Sequence, residues 1–83
     1  MISKLEQRLL RELEQKVKGR YGHLGITFDG YRVYNGDGIG LRVKIPDEDL
    51  AITIAEEMAP WSVETLEKTG VLIYVVPLSG GED

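Results

Sequence analysis

Five carboxylates within eleven residues, Asp47, Glu48, Asp49, Glu56 and Glu57, are the densest set of groups in this chain that could do chemistry. Clustered carboxylate oxygens suit a hard divalent cation, Ca²⁺ or Mg²⁺, and Ca²⁺ in particular tolerates an irregular ligand set. On a helix, Asp49, Thr53 and Glu56 fall on one face with Glu57 beside them. No Lys or Arg occurs from Pro46 to Glu67. Carboxylates at a helix start are favoured by the macrodipole. Glu56 and Glu57, on a helix read as closing at Pro60, sit at the opposed end, where each costs about 0.3–1 kcal/mol. A bound cation would offset that cost, so the expectation is weak, millimolar-type divalent-cation binding by the second helix.

A second set is basic and aromatic: His23, Arg32, Tyr34, Arg42 and Lys44. Residues 23–45 alternate apolar and polar, with Leu24, Ile26, Phe28, Tyr31, Val33, Ile39, Leu41, Val43 and Ile45 facing one way. Asp29-Gly30 reads as a two-residue hairpin turn, and Asn35-Gly36-Asp37-Gly38 as a second turn. In that register Tyr34 lies opposite both Gly25 and Gly40, and Arg32 opposite Arg42. An aromatic ring among cations on a sheet is a surface that holds single-stranded RNA. RNA or ribosome binding by this face is the alternative expectation. A homodimeric interaction module, with Tyr74 at the seam beside Leu72 and Val76, is a third.

Other chemistry finds no support in the residues. His23 is the only histidine, and no spacing ties it to Ser62 or Ser79 as a nucleophile. Gly36-Asp37-Gly38-Ile39-Gly40 lacks the spacing and the GK[ST] ending of phosphate loops. An EF-hand frame on Asp37-Gly38 places Val33 at the first ligand position and Lys44 where the bidentate Glu belongs. The reading is therefore a non-enzymatic binding module without an organic cofactor.

These residues need elements to position them. Ser3-Lys4-Leu5-Glu6 has capping-box spacing, and Leu5, Leu9, Leu10, Leu13 and Val17 recur on one helical stripe, which predicts a helix over 3–18 stopped by Gly19. A three-stranded meander follows. Pro46 ends it, Asp47 caps a second helix running to Ala59, and Pro60 closes that helix. Residues 61–70 read either as a short helix or as a strand over 63–67 entering a hairpin, the latter preferred. Residues 71–76, apolar on both faces, form a strand. The expected fold is α+β, two helices on one face of a mainly antiparallel sheet in the order αβββαββ, as one domain over 1–78 with a flexible acidic tail over 79–83.

Composition sets the outer bounds. Eighty-three residues without cysteine make one small domain, with no disulfide framework and no thiolate chemistry. Charge interrupts residues 2–17 at almost every turn and no run approaches ~20 apolar residues, so a cytoplasmic protein without membrane association is expected. The net charge of −4 divides unevenly. Residues 1–45 hold nine cations against five carboxylates, a net of +4, and residues 46–83 hold one cation against nine carboxylates, a net of −8. Overall acidity disfavours general nucleic-acid affinity but leaves room for a local basic patch. In element order alone, the opening resembles the start of double-stranded RNA-binding domains, and the whole is similar to acidic type III secretion chaperones. Neither likeness brings a motif whose residues carry over.

Overall fold

A computed structural model of the chain describes residues 2–35 and 38–79. The expected turn residues Gly36 and Asp37, and the tail beyond Ser79, lie outside the described residues. The fold is α+β: two helices and a three-stranded mixed sheet, in the order αββαβ rather than αβββαββ.

Helix α1 spans Lys4–Tyr21. Ser3 caps it in a complete capping box: the Glu6 amide donates to Ser3 Oγ at 3.1 Å, and the Ser3 amide to Glu6 Oε1 at 2.7 Å. Gly19 does not stop it. An interior glycine costs about 1 kcal/mol, and burying the Tyr21 side chain two residues later outweighs that. A 3₁₀ turn, Gly22–Leu24, then takes up residues expected to begin a strand.

Strand β1, Thr27–Tyr34, is a single strand where a hairpin was expected. Asp29-Gly30 forms a bulge in it, two residues set against Arg42, with Gly30 at φ +86°. The positive φ that makes Asp-Gly a turn signal serves equally in a bulge, and among the described residues no earlier strand is there to complete a hairpin. Strand β2, Gly38–Ile45, pairs antiparallel with β1 on one side and parallel with β3, Ile73–Ser79, on the other. The sheet order is β1-β2-β3, so one of its two pairings is parallel.

Helix α2 joins β2 to β3 and runs Glu48–Thr69, straight through Pro60. Its buried side, Ala51, Ile54, Met58, Ser62 and Thr65, keeps helical spacing across the proline. Pro60 cannot donate to the Glu56 carbonyl, but both residues are exposed, so water can satisfy that oxygen. Ser62 Oγ donates to the Met58 carbonyl at 3.3 Å, and the Gly70 amide closes the helix on the Leu66 carbonyl at 2.8 Å. The expected strand over 63–67 is therefore helix. Pro60→Ala restores the missing donor and should raise stability by about 2 kcal/mol in urea unfolding, less than the full interior-proline cost because the unfolded chain also gains freedom.

Ile39, Leu41, Val43 and Ile45 of β2 and Ile73 and Val75 of β3 form one sheet face, buried with Leu9, Leu10, Leu13 and Val17 of α1 and Ala51, Ile54 and Met58 of α2 in a single core. Tyr31 and Val33 share that face but lie on the edge strand and stay about half exposed (49% and 55%). Among the described residues no helix is long and apolar enough to cross a membrane.

Candidate functional site

The acidic residues are not brought together. Asp47 is the cap of α2, its carboxylate accepting from the amides of Asp49 at 2.8 Å and Leu50 at 3.4 Å. Glu48 and Asp49 occupy the first turn, where the macrodipole favours them. Glu56 and Glu57 lie about two turns further on, some 10–15 Å along the axis. Because α2 continues to Thr69, they are mid-helix and carry no dipole penalty. Glu57 also has a partner: Arg20 Nη2 lies 3.3 Å from Glu57 Oε1, and the Glu57 side chain acts on the Tyr21 phenol. Among the described residues no group of three or more His, Cys, Asp or Glu side chains could hold a metal ion. The cost that a cation was expected to offset does not arise, and the expected site Asp47, Glu48, Asp49, Glu56 and Glu57 does not converge.

The Glu57 contact has a pH signature of its own. Its hydrogen bond, then burial, raises the Tyr21 pKa above the ordinary 10.0, with Arg20 pulling the other way. The neutral phenol is thus the form that stabilises the fold. That stabilisation is complete below pH 10 and is lost as pH rises past the raised folded-state value. Tyr21→Phe should cost about 1 kcal/mol near neutrality, and its difference from the parent in urea unfolding should vanish at strongly alkaline pH.

The basic and aromatic residues do assemble, on the sheet face opposite the core. Strand alternation puts Arg32 and Tyr34 of β1, Gly40, Arg42 and Lys44 of β2, and Tyr74, Val76 and Leu78 of β3 on this face. Both helices send their buried residues to the other side. The Tyr34 and Tyr74 rings stack with centroids 6.2 Å apart and planes 28° apart. Arg32 Cζ lies 5.4 Å from the centre of the Tyr34 ring. Gly40 is the floor beneath them: a Cβ there would come within 2.5 Å of Val76 Cγ2 and 2.9 Å of Tyr34 Cε2. The missing side chain is a space requirement for the stack.

The register differs from expectation. Tyr34 pairs with Gly38 and reaches diagonally over Gly40, Arg32 pairs with Gly40, and Arg42 faces the bulge. No two arginines are directly opposed, so the repulsion expected from Arg32 against Arg42 is absent. Arg42 Nη2 instead meets Asp29 Oδ2 at 3.3 Å, with both side chains more than a third exposed. A pair so exposed is worth at most about 1 kcal/mol, which leaves Arg42 open to a stronger anion. Lys44, opposite Thr27, is exposed about 13 Å along β2 from Gly40. His23 lies in the 3₁₀ turn, outside this face.

Tyr74 and Val76 are the contributors that sequence reasoning did not assign here, since they reach the face only through the parallel β2–β3 pairing. The one available signal was the alternation of Leu72, Tyr74 and Val76 within an otherwise uniform apolar run. Comparison with protein-family models, with curated proteins and with solved structures gives no match.

Proposed function

We propose that the chain is a non-enzymatic module that binds single-stranded RNA on the open sheet face. The observation that carries this reading is the stacked Tyr34–Tyr74 pair with Arg32 set against it, over a glycine floor and continued by Arg42 and Lys44. Base–aromatic stacking is worth about 1–3 kcal/mol per base, and the flanking cations suit the phosphates between stacked bases. His23, the sole histidine, is away from the face, which supports binding rather than acid–base catalysis there. The cytoplasm is the location this reading takes.

The net charge of −4 opposes the reading less than it first suggests. Locally, Arg32, Arg42 and Lys44 outnumber Asp29. The Asp and Glu side chains of α2 belong to the helical layer on the other side of the sheet, about 10 Å or more away, against a Debye length of about 8 Å at physiological ionic strength. The same three cations disfavour face-to-face pairing of two copies, so RNA is preferred to a homodimer at this surface.

The test is fluorescence anisotropy of a labelled oligouridylate across a salt series. Three phosphate contacts on a single strand give a slope of log K against log salt near about −2. Arg32→Ala with Arg42→Ala should weaken binding and flatten the slope to about −0.7. A parent slope near zero, or a double variant that binds like the parent, overturns the proposal. Oligothymidylate in parallel reports whether the 2′-hydroxyl contributes.

A further inference from the structure

One flank of α2 is apolar and stands open to solvent. Ile52 and Val63 are 54% and 55% exposed and Leu66 is 40% exposed, and these are three of the six large hydrophobic side chains that stand most open in the described residues. Ile52, Ala59 and Leu66 repeat every seven residues, with Val63 one turn beyond Ala59, so all four lie along one line about 21 Å long. They have no part in burying the helix, which is done by Ala51, Ile54, Met58, Ser62 and Thr65. The opposite flank meets α1 through Glu57 and Arg20. The stripe is thus a second apolar face on a helix already anchored by its first.

Its border decides what could cover it. Asp49, Glu56 and Glu67 lie within about 60° of the stripe on one side, and all three are exposed. From Pro46 to Glu67 the chain has no cation. A second copy laid on this flank would set these carboxylates against their own kind, because the one cation of α2, Lys68, lies on the opposite side of the helix beside Glu64, and RNA is repelled for the same reason. We infer that this flank of α2 docks a basic amphipathic helix of another protein, apolar residues at heptad spacing against Ile52, Ala59, Val63 and Leu66, and Lys or Arg against Asp49, Glu56 and Glu67. A seam of four side chains is small, so the complex belongs with weak, transient associations.

A designed peptide of about 16 residues, Leu at heptad spacing with Lys along both borders, is the probe, read by amide and methyl NMR shifts on the full chain. The expected result is saturable shifts concentrated on Ile52, Ala59, Val63 and Leu66. Affinity should fall about tenfold or more in Ile52→Ser with Leu66→Ser, with the unfolding midpoint little changed because neither side chain is in the core. A milder variant, Glu56→Gln with Glu67→Gln, should also weaken binding and reduce its salt dependence. Equal binding by a peptide carrying Glu in place of Lys overturns the inference, as do shifts confined to the sheet face. Dimerisation of the chain in analytical ultracentrifugation, abolished by Ile52→Ser with Leu66→Ser, would assign the stripe to a second copy and overturn it too.

Discussion

Gly38→Ala should destabilise the fold by about 3 kcal/mol, lowering the melting temperature by about 12–24 °C. Gly38 stands at φ +100°, where a side chain costs about 1–2 kcal/mol. Its new Cβ would also lie 2.5 Å from the Leu72 carbonyl oxygen and 2.9 Å from Leu72 Cβ. That carbonyl accepts from the Ile39 amide at 2.9 Å, so it cannot retreat without breaking the join between β2 and the approach to β3. A domain of this size has only about 4–12 kcal/mol of stability in all, so the loss is a large share. Gly40→Ala is the informative control. Its closest neighbours are a valine methyl and the edge of a tyrosine ring, both able to shift, and its backbone is not in the left-handed region. It should cost about 1–2 kcal/mol and act mainly by lifting Tyr34 from its place. Thermal unfolding of the two variants side by side would refute this account if Gly40→Ala proved the more damaging.

The parts of this fold that local physics dictates could be read from the residues. The capping box at Ser3 and Glu6 formed, and Ile39, Leu41, Val43 and Ile45 turn to the core as their alternation implies. The errors fall where a local breaker yields to its surroundings. Asp29-Gly30 is a bulge because the residues before it are consumed by α1 and the 3₁₀ turn. Pro60 is inside a helix because its exposed side leaves the freed carbonyl to water while Trp61, Ser62 and Thr65 continue the packed side. The spacing 51, 54, 58, 62, 65 runs unbroken through the proline and was the stronger signal. Ending the helix early also placed Glu56 and Glu57 at a false terminus, and the cation expectation followed from that placement.

The partner of Glu57 was not legible, since nothing local brings the end of α1 to the middle of α2. Parallel pairing of β3 was not legible either, because an apolar run serves a central strand in either direction. Of the residues named for the basic and aromatic face, Arg32, Tyr34, Arg42 and Lys44 share one sheet face, through a register that proved wrong, while His23 lies off it and Tyr74 and Val76 were not assigned to it. Tyr34 lies over Gly40 by a diagonal rather than a direct pairing. Strand parity, which a bulge of one extra residue restores after a misread turn, preserved which residues share the face.

Tyr34→Ala and Tyr74→Ala carry the largest expected effect on binding. If each ring supports one base, each loss costs about 1–3 kcal/mol, or about 5- to 150-fold in affinity. The two should not add. Removing one ring leaves the other without its neighbour at 6.2 Å, so the first substitution already disorders the platform for the second. Tyr34 also anchors Arg32 at 5.4 Å, and its loss frees a cation that then pays full rotamer entropy on binding. Tyr34→Ala should therefore exceed Arg32→Ala. Tyr34→Phe, which keeps the face of the ring and loses only the hydroxyl, should bind within about twofold of the parent. Anisotropy titrations of the four variants against one oligouridylate separate stacking from charge. Stacking predicts a strong effect of Ala and a weak one of Phe at position 34, nearly independent of salt. If Tyr34→Phe binds as poorly as Tyr34→Ala, the hydroxyl and not the ring is the recognition element, and the stacked platform is not how this face holds a strand.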